Sequence, residues 1–216
     1  MSDKLLIENA AQAGVEEGSV SSPLTRADWL EAAINIFVKE GVSAVRITRL
    51  AEILSVTRGS FYWHFKDRDD LLSGITAFWA QKNARSVITA TLNVATLDEG
   101  MLALFSCWLN PARFDPGLDM AMRDWARRSG VVQAEVRQAD RQCIAAIADF
   151  FQRMGVEPIE ANTRSRTTYF CQLGYYALGL DESLEQRLTY LEPTIYMLSG
   201  RHLDPELAAQ FRANYK

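Results

Sequence analysis

Residues 56–72 read VTRGSFYWHFKDRDDLL, and this stretch decides the fold. Phe61, Tyr62, Trp63, His64 and Phe65 are consecutive, Gly59 stands just before them, and charge follows at once. A helix that only fills a core spaces its apolar residues three and four apart. Rings in an unbroken row instead point to a helix used on two sides. If the helix opens after Thr57, steps of about 100° per residue put Arg58, Gly59, Tyr62, Trp63 and Lys66 on one broad face. Phe61 and Phe65, four apart, share another face and can anchor the helix on its neighbours. Glycine inside a helix costs about 1 kcal/mol relative to alanine. Gly59 therefore needs a reason, and close approach of a partner's backbone is one. The outward face is rich in N–H and O–H donors, which suit phosphates and base edges.

The sequence just upstream supplies a frame for this helix. Thr25 can cap a first helix in which Ala27, Leu30, Ala33, Ile34 and Phe37 recur at helical spacing, and Gly41 stops it. Ile47, Leu50, Ala51 and Leu54 mark a shorter second helix, and Ser55-Val56-Thr57 makes a tight break. Three short helices thus occupy residues 24–68. Between Val42 and Lys66 the cations Arg46, Arg49, Arg58 and Lys66 face one anion, Glu52. A helix, a tight turn and a second helix with a donor-rich face is the helix-turn-helix arrangement, whose second helix enters the major groove of DNA. A core-only reading of the aromatic run stays open on these residues alone.

The same residues resemble the signature of the TetR family of bacterial transcriptional regulators. The likeness rests on Leu50, Ala51, Val56, Thr57, Gly59, Ser60, Tyr62, Phe65, Arg68 and Leu71, and on the opening helix RADWLEAAINIFVKEGVSAVRI. It covers residues 25–72; beyond them only the helical pattern is similar. The resemblance implies phosphate contacts from Tyr62 and Lys66. It implies groove contacts from Arg58, Gly59, Ser60 and Trp63, with Thr57 as cap and backbone donor. His64 either joins this face or packs beside Phe65. Two positions depart from the family's pattern: Ser55 stands where glycine is usual, and Arg46 where Ser or Thr often opens the second helix. Arg46 is then a candidate phosphate contact, and Ser43 and Thr48 are candidate caps, Thr48 also counting among the DNA-facing residues.

No strand candidate appears, so the expectation is an all-α fold of about nine helices. Helices are expected over 67–92, 98–109, 118–128, 131–154, 159–180 and 184–199, with a short tail after Gly200 and a kink at Pro193. Residues 1–23 hold Lys4 against Asp3, Glu8, Glu16 and Glu17 and read as a mobile acidic arm. Residues 69–216 read as a larger helical domain for ligand binding and dimerisation. A single helix-turn-helix reads few base pairs, and a homodimer spanning two half-sites about 34–36 Å apart answers this. Leu184, Leu188, Leu191, Ile195 and Leu198 follow a 4-3-4-3 spacing suited to helix pairing, with Thr168, Cys171, Tyr175 and Gly179 as the opposing ridge. The same stripe also suits packing inside one subunit. The resemblance implies a small-molecule effector among the middle helices. Phe78, Trp79, Phe105, Trp108, Trp125, Phe150, Tyr169 and Phe170 can wall such a site, or serve as ordinary core. Few polar groups lie among them, which favours an apolar or aromatic ligand. RDWARRSG, residues 123–130, is open between a relay and a solvated helix end.

Composition narrows the alternatives. With a net charge of -4 over 216 residues, nucleic-acid binding has to rest on local charge. Cys107, Cys143 and Cys171 are far apart and odd in number, which suggests buried free thiols. His64 and His202 are the only histidines, so no metal set is expected. There is no nucleophile–base pair, paired carboxylate or phosphate loop, so no enzyme and no cofactor are expected. No apolar run is long enough to span a bilayer and no signal peptide is evident, so a cytoplasmic protein without membrane contact is expected. A ligand-independent DNA-binding protein and an activator remain the rival readings.

Overall fold

The computed structural model describes residues 24–215; the acidic arm expected over 1–23 lies outside the described residues. Helices α1 (Arg26–Glu40), α2 (Ile47–Ile53) and α3 (Arg58–Phe61) form the first unit. α4 (Arg68–Trp79) runs through a π-helical turn, Ala80–Ala84, into α5 (Arg85–Ala90). There follow α6 (Leu97–Leu109), α7 (Pro116–Ala126), α8 (Gly130–Arg153) and α9 (Pro158–Leu178). The chain ends with α10 (Leu184–Thr189), α11 (Leu191–Ser199) and α12 (Pro205–Ala213). Among the described residues there is no strand.

Local chemistry sets most boundaries. Thr25 and Asp28 close a capping box on α1, as Thr96 and Glu99 do on α6 and Ser183 and Gln186 on α10. Asp67, Asp115, Ser129 and Asp204 each accept a backbone N–H at the start of α4, α7, α8 and α12. Pro116, Pro158 and Pro205 open their helices, where the missing N–H costs nothing.

Four details differ from the sequence reading. The buried stripe of α1 is Trp29, Ala33, Ile36 and Phe37, whereas Ala27 is exposed and Leu30 and Ile34 only half-buried. The heavy ring of Trp29, packed edge-on to Phe61 at 5.3 Å, sets the rotation of the helix. The last long helix breaks at Tyr190, and Pro193 sits in the first turn of α11, where it is tolerated instead of producing a kink. The tail after Gly200 contains α12, which Asp204 caps and which Asp98 at the start of α6 holds by accepting the Asp204 N–H at 3.0 Å. The third helix ends at Phe61 and continues as turns, because Asp67 must be extended to cap α4.

A continuous core runs from Trp29 and Phe61 through Leu71, Ile75 and Met101 to Phe151, Ile195 and Phe211. α8 packs along α7 and α9, and α7 also touches α1 and α4. Trp125 of α7 meets Phe37 of α1 edge-on at 5.7 Å, so α7 links the first unit to the rest.

Candidate nucleic-acid interface

Phe61 and Phe65 are buried, stacked at 5.5 Å, and hold α3 and the turn after it on α1. Arg26 of α1 lies over the Phe65 ring at 4.3 Å. This anchoring turns the intervening residues outward. Tyr62 is 61% exposed and Trp63 87%, and Arg58, Gly59 and Lys66 are exposed beside them. Ser60 and His64 are half-buried at the margin. A Cβ on Gly59 would meet nothing nearer than the Thr57 hydroxyl at 3.6 Å, so the chain's own packing does not require glycine there.

Arg46 occupies the N-cap of α2 without capping it, and neither Ser43 nor Thr48 takes over that role. The Arg46 Nε instead donates to the Ser43 carbonyl at 3.2 Å, leaving an exposed cation at the start of the helix. Thr48 is exposed two residues further on. Thr57 takes the N-cap of α3 with extended backbone, but its hydroxyl accepts no helix N–H, contrary to the capping role expected of it. Ser55, in the turn, is the one non-glycine residue with positive φ among the described residues, at 55°. Arg68 is a fastener: its Nε and Nη2 donate to the carbonyls of Val45 and Val42 at 2.7 and 2.6 Å, tying α4 to the segment before α2.

The eight rings expected around a ligand do not converge. Phe78 and Phe170 are exposed, Phe170 under the Arg166 guanidinium. Phe150 is fully buried against Gly100 and Phe151. Phe105 and Trp108 pack edge-on at 6.0 Å, and Trp125 is taken up by Phe37. Trp79 and Tyr169 enter a polar network that periodicity could not reveal, because its members come from four helices. The Trp79 indole donates to the buried Asp119 carboxylate at 2.8 Å. Arg123 Nε donates to the other Asp119 oxygen at 2.8 Å, and its two terminal nitrogens donate to Asp140 at 3.1 and 2.7 Å. Tyr169 donates to Asp140 at 2.8 Å. Burial works against the charge of Arg123, but its bonds to Asp140 and the charge of Asp119 outweigh this and hold it fully protonated. Burial, with the Cys143 sulfur and the Asp140 carboxylate nearby, pushes the Tyr169 hydroxyl well above the ordinary tyrosine range. RDWARRSG therefore divides: Arg123 turns inward to join this network, while Arg127 and Arg128 pair with Asp124 on the surface.

Beside this network lies a groove of about 450 Å³ between α7 and α9, lined by Met120, Arg123, Arg127, Leu173, Gly174, Tyr176 and Ala177. None of the eight rings lines it. Of the stripe expected at a dimer seam, Leu191, Ile195 and Leu198 are buried in their own chain and Leu188 is half-buried; only Leu184 is exposed. Of the two partners open to this stripe, the same chain takes its α11 part, which packs on α6 and α9. Thr168 is buried, Tyr175 lies under the Arg187 guanidinium at 4.7 Å, Gly179 caps α9, and Cys171 is exposed. The last departs from the expectation of three buried thiols. Burial pushes the Cys107 and Cys143 thiols up to about 12.

Residues 30–75 match the family model described as bacterial regulatory proteins, tetR family. The HTH-type transcriptional regulator AcrR of Shigella flexneri is 45% identical over 51 residues, 24% of this chain and 24% of that protein. The probable acrEF/envCD operon repressor of Escherichia coli strain K12 is 36% identical over 58 residues, 27% of this chain and 25% of its own length. The matched segment is thus only about a quarter of the length of these relatives. Over most of the chain the likeness is one of fold. The structure of AibR in complex with isovaleryl coenzyme A and operator DNA has a TM-score of 0.60 at 14% identity, covering 80% of this chain and 96% of that one. Residues 30–75 thus carry a helix-turn-helix segment similar to that of the tetR family of bacterial regulatory proteins, on an all-α frame whose fold solved structures share.

Proposed function

We propose that the protein is a transcriptional repressor that binds an inverted-repeat DNA operator as a homodimer and is released by a small molecule. Residues 24–68 are the reading head in this proposal, and residues 69–216 bind the effector and the second subunit. The observation that carries it is the face of Tyr62 and Trp63, exposed beside Arg58, Gly59 and Lys66 on a buried Phe61–Phe65 anchor. A Trp left 87% exposed has no role inside this chain, and ring edges and donors suit a major groove. Arg46 and Thr48 at the start of α2 flank this face and suit phosphates. The repressor role draws on the relative named a probable operon repressor, and effector binding on AibR, whose structure holds isovaleryl coenzyme A and operator DNA.

Support for a dimer comes from the surface of the last helices. Leu178, Leu180, Leu184, Tyr190, Tyr196 and Met197 are all exposed, Met197 at 77%. So much apolar surface on α9 to α11 marks an interaction site. The test is selection of bound fragments from the host's genomic DNA by purified protein at about 150 mM salt, where non-specific phosphate binding is weak. Enrichment of a few sites with inverted half-sites is expected. Recovery of no fragment above background from ligand-free protein would refute the reading.

A further inference from the structure

We propose that the α7–α9 groove takes an organic anion, a carboxylate or phosphate on an apolar body, and that Arg123 reports its presence to α4 through Asp119 and Trp79. This rests on the reading of the chain as a ligand-released regulator and differs from the expectation of an apolar or aromatic ligand by adding an anionic group.

The lining decides the class. Its floor is apolar, from Met120, Leu173, Ala177 and the Tyr176 ring, and Gly174 leaves open space where a Cβ would meet no atom within 4 Å. The Tyr176 hydroxyl is already spent on the Trp108 carbonyl at 2.9 Å. Among the described residues, the charged groups on the wall are Arg123 and Arg127, one turn apart on α7. The carboxylates that pair with them, Asp119, Asp140 and Asp124, do not line it. Arg127 is 75% exposed and holds Asp124 through one terminal nitrogen, so its other donors are free to turn inward. Arg123 makes bonds to Asp119, Asp140 and Tyr169 that leave an N–H over for a ligand. Guanidinium pairs best with anions that offer two oxygens to its parallel N–H donors, as a carboxylate or phosphate does.

The same arginine carries the message. An anion on Arg123 competes with Asp119 and Asp140 for its donors. Asp119 also accepts from Trp79, the last residue of α4, and α4 begins at Arg68, the fastener of the helix-turn-helix. Ligand and DNA are thus coupled through three side chains in one hydrogen-bonded chain, with a shared free energy that acts in both directions.

Anilinonaphthalene sulfonate is the probe, with phenylnaphthylamine, the same rings without the sulfonate, as its neutral twin. The sulfonate is expected to bind folded protein at least about tenfold more tightly than the neutral twin, the size of one charge-assisted hydrogen bond. Arg127→Gln should lose most of that preference, whereas Arg141→Gln, exposed on α8 away from the groove, should keep it. Equal binding of the two probes, or no effect of Arg127→Gln, overturns the anion site whatever the protein does with DNA. For the relay, the operator fragment selected above should change sulfonate affinity at least about fivefold, the lower end of ordinary coupling. Trp79→Phe removes the indole donor together with part of a buried ring; the folded variant should keep sulfonate affinity and reduce that ratio to near one. A full wild-type ratio in Trp79→Phe overturns the relay. If no fragment binds at all, the regulator reading and the relay fall together, while the sulfonate comparison still decides the groove.

Discussion

Ser55 holds the turn of the helix-turn-helix at φ 55°, a left-handed conformation that favours glycine. Its side chain is exposed, so nothing is lost by removing it. Ser55→Gly is therefore expected to raise stability by about 0.5–1 kcal/mol, read by urea denaturation, and an unchanged or lower midpoint would show that the strain is relieved elsewhere. Lys66 makes no side-chain bond within the chain among those described, and is exposed beside Tyr62 and Trp63. Lys66→Ala should weaken binding to operator and to random duplex by a similar factor and reduce the salt slope by about one. Tyr62→Ala, which removes an exposed ring and hydroxyl, should weaken binding with little effect on folding. Normal binding in both variants would remove these residues from the interface.

At the scale of elements, α6 approaches α8 closely where Gly100 faces Phe150. A Cβ on Gly100 would overlap the Phe150 ring, which is fully buried and cannot yield. Gly100→Ala is expected to cost about 1–3 kcal/mol by overpacking, despite the better helix propensity of alanine. Gly100→Ala with Phe150→Leu should recover part of the loss, and a mild effect of the single variant would mean that the two helices separate easily. Helix α1 is tied at its start by Asp28, which accepts the Thr25 N–H at 2.6 Å, and at its end by Glu40, which holds Arg49 at 2.7 and 2.5 Å. The backbone bond from Thr25 lowers the Asp28 carboxyl, and the Arg49 bond lowers that of Glu40. A lowered folded-state value means that the support is complete above the unfolded values of about 3.9 and 4.3 and is lost as pH falls through the folded ones. Amide protection at the two ends of α1 should drop as pH falls below about 4, ahead of its middle, in hydrogen exchange. Uniform loss along the helix would exclude these ties as the cause.

For the whole molecule, the question is what covers α9 to α11. Burying Met197, Tyr190, Leu178 and Leu184 against a second copy would remove the largest run of exposed apolar side chains on the chain's last helices. Met197→Asp puts a charge on α11 among these exposed positions without touching the core, since Met197 is 77% exposed. It should lower the solution mass to that of one chain at micromolar concentration and leave the melting of the subunit largely intact. A monomeric wild type, or a variant that stays dimeric, would place the second copy elsewhere. Cys171 offers an independent readout, because it is the exposed thiol and the other two are buried and hard to ionise.

The helix-turn-helix was legible because it is local. Its spacing, its break at Ser55 and the two-sided ring run from Phe61 to Phe65 lie within one stretch of chain, and short-range geometry turns them into an exposed donor face. The helix starts were legible for the same reason: caps such as Thr96 with Glu99 and Pro158 act within one turn. Which way a helix faces was not, because 4-3-4-3 spacing on α10 and α11 fits a neighbour in the same chain as well as one in another. Trp79 and Tyr169 read as apolar walls until tertiary packing gave the indole to Asp119 and the hydroxyl to Asp140, 40 and 29 residues away in sequence. A buried polar atom must find a partner wherever the fold offers one, and only the folded chain fixes where that is.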